Sequence, residues 1–155
     1  MVPLVVQLLG WGLAWGAGLS GLVPQLSAPV EALRFGFAAM FVVTGVAHFA
    51  PRTRAEMIRM VPPALPVPAQ LVSLTGVLEL AGAVGLLLPA WSRWAAAGLA
   101  LLLIGMFPAN VHAARAGLQV AGRRAMSIWP RLALQLFWIA GLVWIVTAAG
   151  GARAS

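Results

Sequence analysis

From Leu71 to Pro89 the chain reads LVSLTGVLELAGAVGLLLP, an apolar run carrying one carboxylate, Glu79. A run of that length matches the ~20 residues a helix needs to cross a ~30 Å hydrocarbon core. Four further blocks have the same character: Val2 to Val23, Glu31 to Ala50, Trp94 to Ala114 and Leu132 to Gly150. Charged residues make up only 8% of the 155, against ~25% in a soluble domain. Such material cannot build a water-facing surface. The sequence therefore predicts an all-α, polytopic transmembrane helical bundle: a four-helix core over 31–150, an N-terminal hydrophobic segment over 1–30, and a short tail over 151–155. No basic residue precedes the first block, and Pro29 follows the one cleavage-like position at Ala28. A fifth spanning helix is thus favoured over a cleaved leader or an interfacial segment.

The formal charge of +7 comes entirely from arginines set against Glu31, Glu56 and Glu79. They flank apolar blocks, where they meet lipid headgroups and set orientation. No basic stretch alternates with aromatics, so nucleic acid is not an expected partner. The loops 51–68 and 115–131 fall on one side and hold Arg52, Arg54, Arg59, Arg115, Arg123, Arg124 and Arg131; the other side has Arg34, Arg93 and Arg153. That asymmetry places both loops in the cytoplasm of an inner or plasma membrane. The first loop contains RTRAEMIRM, read as an amphipathic turn or two at the membrane surface. VPPALPVP follows, whose prolines forbid helix and favour an extended path. Pro62, Pro63, Leu65 and Pro66 of this stretch are the expected lid over the polar residues nearby. With no cysteine, the chain itself supplies no thiol redox chemistry or thiolate metal site.

Polar residues inside the spans carry what functional signal there is. A charge at a helix centre costs about 2.5–3.5 kcal/mol on the insertion scale, and such residues usually face the bundle interior and pair. At ~1.5 Å of rise per residue, Glu79 lies about 12–15 Å in from the loop end, and Gln135 about 6 Å in. His48 and Asn110 sit near the ends of their helices, but their side chains lean back toward the helix N-terminus and so into the membrane. Thr44 is one turn deeper than His48 on the same face, and Thr75 is one turn from Glu79. The expected cluster is therefore His48, Glu79, Asn110, Thr44, Thr75 and Gln135. Glu79 either carries a proton and donates a hydrogen bond, or is ionised beside a protonated His48. Pro108, inside its helix, should release the carbonyl of Ile104.

Three readings of this cluster stay open. It is interhelical glue, worth about 0.6 kcal/mol per hydrogen bond, a ligand-binding or redox-supporting pocket, or a proton or solute path. Gln135 reads most simply as glue, and Thr44 and Thr75 as bonding carbonyls of their own helices. His48 with Glu79 is the pair to back for chemistry. A metal is not expected: His112 stands 200° around its helix from Asn110, at ~100° per residue, and no phosphate loop or nucleophile elbow is present.

Thr44-Gly45-Val46-Ala47-His48-Phe49, Met60-Val61-Pro62-Pro63-Ala64-Leu65-Pro66, Leu74-Thr75-Gly76-Val77-Leu78-Glu79-Leu80 and Phe107-Pro108-Ala109-Asn110 occur in that order, followed by Arg131-Leu132-Ala133-Leu134-Gln135. Together they resemble the DoxX-like integral membrane proteins, in their uncharacterised bacterial branch, over about Arg34 to Ile145. The resemblance implies a four-helix core. It also implies association with membrane redox chemistry, since named relatives include small subunits of a quinol oxidase and a thiosulfate:quinone oxidoreductase. A quinone is the one cofactor to consider, because His48, Glu79 and Asn110 converge near the interface where quinone heads reside, with His48 bonding a carbonyl and Glu79 relaying a proton. Partners on this reading are the bilayer, a redox subunit and a second copy of the chain. A stand-alone enzyme is not expected. A structural or assembly subunit is the alternative, and a small transporter ranks third.

Overall fold

The computed structural model describes residues 2–120, 123–124 and 126–151. Helix α1 covers Val2–Leu19, and a 3-10 turn at Pro24–Leu26 leads to α2, Pro29–Ala47. Then come α3, Pro51–Met60, α4, Pro68–Leu87, α5, Ser92–Arg115, and α6, Ile128–Gly151. Five of these are long and apolar enough to cross a membrane, with α3 excepted. Among the described residues, the one departure from helix and turn is a two-residue antiparallel ladder between α5 and α6, with Gln119 opposite Arg124.

Proline marks the starts. α2, α3 and α4 each open on one, where its missing N–H would have had no helical partner and its fixed φ suits the first turn. Val67, just before α4, is left-handed at φ 50. For a β-branched residue that is a strained backbone, held between Pro66 and Pro68. The connection after α2 therefore contains a full helix, α3, rather than a turn or two. α6 also starts earlier than its apolar block suggests, so Arg131 belongs to the first turn of a helix and not to the loop.

α2, α4, α5 and α6 form a ring in that order, closed by contact between α6 and α2, with α1 laid against the outside of α2. Glycine sets the crossings. A methyl group on Gly36 would sit 2.6 Å from the Gln7 carbonyl oxygen, and one on Gly10 would sit 3.2 Å from Gly36 Cα. α1 is also tied to α6, because Trp138 Nε1 donates to Gln7 Oε1 at 3.1 Å. Inside the ring, Phe37, Phe41, Leu86, Leu99, Leu142 and Ile145 make a dry core. At one end of that core Arg34 is buried, its Nε donating to the Leu86 carbonyl at 2.8 Å while its Nη1 pairs with Glu31. At the other end α3 meets both α5 and the short ladder, so the two longer connections share one end of the bundle.

Candidate functional site

The site is built by the crossing of α2 and α4. Gly45 and Gly76 let the two backbones approach. A methyl at Gly76 would lie 2.6 Å from His48 Cβ, and one at Gly45 would lie 2.9 Å from the Leu80 side chain. Each glycine is within three residues of the side chains that matter. Thr44 and His48, four apart, share a face of α2; Gly76 and Glu79, three apart, share a face of α4. Close approach at the glycines therefore delivers Thr44 and His48 onto Glu79.

His48 is the first residue beyond α2, and its backbone N–H still bonds to Gly45 O at 3.2 Å. Its ring folds back so that Nδ1 donates to the Thr44 carbonyl at 2.9 Å. With the proton on Nδ1, Nε2 is the acceptor of a neutral ring, and it has no hydrogen bond among the described residues. Burial holds the imidazole below its ordinary 6.5; the bond to the Thr44 carbonyl opposes this and the Arg54 charge adds to it. Arg54 closes the mouth, donating from Nη1 to His48 O at 3.3 Å and from Nη2 to Ala69 O at 3.0 Å. Thr53 also bonds back to the Ala47 and Ala50 carbonyls, so α3 is pinned over the end of α2.

Glu79 is 3% exposed. Thr44 lies beside its carboxyl, and the Thr44 hydroxyl donates to the Phe41 carbonyl of its own helix at 3.5 Å. Its Oε2 is 3.9 Å from His48 Nδ1, beyond hydrogen-bond length, and has no hydrogen-bond partner among the described residues. Leaving such an atom unpaired costs about 1–3 kcal/mol, more for a charged group. Native folds seldom carry that cost unless the group stores strain, takes part in chemistry or meets a water or ion.

The other expected residues are engaged elsewhere. Thr75 bonds the Leu71 and Val72 carbonyls of its own helix at 3.0 and 3.1 Å. Gln135 Nε2 donates to Leu103 O at 3.0 Å, the carbonyl next to the one Pro108 was expected to release. Asn110 Oδ1 accepts from Arg131 Nη1. The register of the contacts fixes their depth. Gly82 faces Leu99 and Gly85 faces Ala95, so in this antiparallel pair Glu79 lies level with about Leu101 to Leu102, next to the Leu103 that Gln135 bonds. Thr44, Glu79 and Gln135 thus occupy one level of the interior. His48 and Arg131, each four residues nearer the loops, lie about 6 Å along at ~1.5 Å per residue, and Asn110 meets Arg131 there.

Pro62 lines a cavity of about 380 Å³ with Phe107, Pro108, Val111, His112 and Arg115, on the far side of α5 from Asn110. Pro63, Leu65 and Pro66 are exposed. The direct cover over His48 comes from Arg54 and Thr53 of α3. The residue that sequence reasoning missed is Arg131, assigned to a loop although its i, i+4 spacing from Gln135 puts both on one helix face.

The chain over residues 37–147 matches the model of a protein family described as a domain of unknown function, DUF8561. The chain belongs to this family. The matched stretch takes in most of α2 and all of α3 to α5, with most of α6, and so includes the Thr44–His48–Glu79 crossing and the Asn110–Arg131 pair; α1 lies outside it. No curated protein and no solved structure matches the chain.

Proposed function

We propose that this DUF8561 protein is a DoxX-like accessory subunit of membrane redox chemistry that binds the head of a quinone-type ligand against the His48–Glu79 pair. The observation that carries this reading is Glu79 Oε2, deep in the bundle and without a hydrogen-bond partner among the described residues, 3.9 Å from a histidine ring. A neutral ring with a free Nε2 and a carboxyl with a free oxygen suit a head group whose oxygens gain and lose protons. His48, just past the last residue of α2, lies toward the loop end of the bundle, while Glu79 is the twelfth of the 20 residues of α4 and so lies near mid-span. On the arginine count that end is cytoplasmic. The redox partner would be a second membrane subunit, since this chain has no cysteine.

The test is gentle purification followed by solvent extraction. Wild-type protein should release quinone in near-stoichiometric amount, and Glu79→Gln and His48→Ala proteins about tenfold less. Wild-type protein with no quinone, and equal weak uptake of added quinone by all three, would sink the reading.

A structural or assembly subunit is the second reading. One observation favours it: Thr75, Gln135 and Asn110 all make their hydrogen bonds within the bundle. It predicts that Glu79→Gln lowers the amount of protein in the membrane, with no ligand content to change. A transport path has less support, since the apolar core and buried Arg34 fill the interior beyond Glu79.

A further inference from the structure

Among the described residues, two buried side-chain polar atoms lack a hydrogen-bond partner: Glu79 Oε2 and Arg131 Nε. They belong to α4 and α6, which are not neighbours in the ring but face each other across it. Glu79 shares the inward stripe of α4 with Val72, Ala83 and Leu86, all buried. Arg131 is four residues before buried Gln135 on the stripe that continues to Leu142 and Ile145. Both residues therefore stand on helix faces that border one interior, about one helical turn apart in depth, with Arg131 part-buried and its Nη1 turned to Asn110 of α5. One end offers an acceptor oxygen, or a carboxylic O–H; the other offers an N–H on a fixed positive charge. No ion pair joins them within 4.0 Å among the described residues.

We propose that Arg131 is a second anchor of the ligand site, so that the preferred ligand is a ring bearing oxygens on opposite edges. One oxygen takes the N–H of Arg131 and the other meets the His48–Glu79 pair. This rests on the quinone-type reading above and sharpens it. A head with a single polar group satisfies one end and leaves the other unpaired, which is how a polar site discriminates between close analogues. Asn110 serves here as a positioning residue. Its Oδ1 holds Nη1 of Arg131 and so fixes which edge of the guanidinium remains free.

The experiment uses the full chain in lipid nanodiscs and two probes with the same decyl tail, a benzoquinone and a phenol with one oxygen. Tryptophan quenching reports binding. Wild-type protein should prefer the quinone by about 10- to 100-fold, the range of one hydrogen bond to a charged group. Arg131→Gln should weaken the quinone to the level of the phenol and leave the phenol unchanged. Arg131→Lys, which keeps the charge without the planar fork, should retain part of the preference and serves if the glutamine protein does not fold. Either variant binding the quinone with wild-type affinity and preference overturns the role of Arg131 and leaves the His48–Glu79 reading standing. Wild-type protein that binds neither probe removes both.

Discussion

At the scale of single residues, the site depends on what is absent as much as on what is present. Gly76 has no side chain because His48 occupies the space. Gly76→Ala should lower stability by about 1–3 kcal/mol, the cost of overpacking, and displace His48 from Glu79. Gly12→Ala, with nothing within 4 Å of the added methyl, should stabilise α1 by up to about 1 kcal/mol. Thermal unfolding in a single detergent separates the two; equal shifts would mean that the α2–α4 contact is loose. The histidine adds a pH dependence. Its pKa is lowered on folding by burial, so the unfolded chain binds the proton more readily. The stabilising contribution is then complete above 6.5 and is lost as pH falls below it. The melting temperature should drop between pH 7.5 and 5.5 by more in wild type than in His48→Gln. Parallel profiles would show that His48 is not held neutral. Glu79 and Arg54, which both face His48, remain in place in each protein.

At the scale of elements, the helices were legible because each apolar block is close to one span and because prolines punctuate it. Three things were not. The charged stretch 51–60 is amphipathic but short and polar on average, so it read as a turn or two and not as ten residues of helix; its order comes from Thr53 and Arg54 bonding the carbonyl ends around it. Arg131 read as loop because a cation beside a proline signals a boundary, whereas tertiary contact with Asn110 draws it into α6. The left-handed Val67 leaves no mark in the sequence. Its strain predicts that Val67→Gly is tolerated and stabilises by up to about 1 kcal/mol, since glycine removes the penalty of that conformation. A loss above 1 kcal/mol in chemical unfolding would show that the valine side chain is needed there.

At the scale of the molecule, a dry core sealed by Arg34 at one end and a polar interior at the other make the bundle one-sided. The composition announced a membrane bundle, and Glu79 announced that something polar lay within it. Which residues share its level depended on register, which no single sequence prints. The orientation is open to a direct test, because the chain has no cysteine. Arg59→Cys, on the exposed face of α3, should react with an impermeant maleimide only in inverted vesicles, and Trp91→Cys, exposed at the α4–α5 turn, only in right-side-out ones. The opposite pattern would reverse the orientation and leave the fold untouched. Whether the unpartnered oxygen of Glu79 marks a ligand site is tested most directly by titrating a decyl benzoquinone into ligand-stripped protein in nanodiscs, beside Glu79→Gln and His48→Ala. Wild type should bind saturably, and both variants, with their helix content matched to wild type by circular dichroism, at least about tenfold more weakly. Non-saturable uptake identical in all three would contradict a ligand site at Glu79.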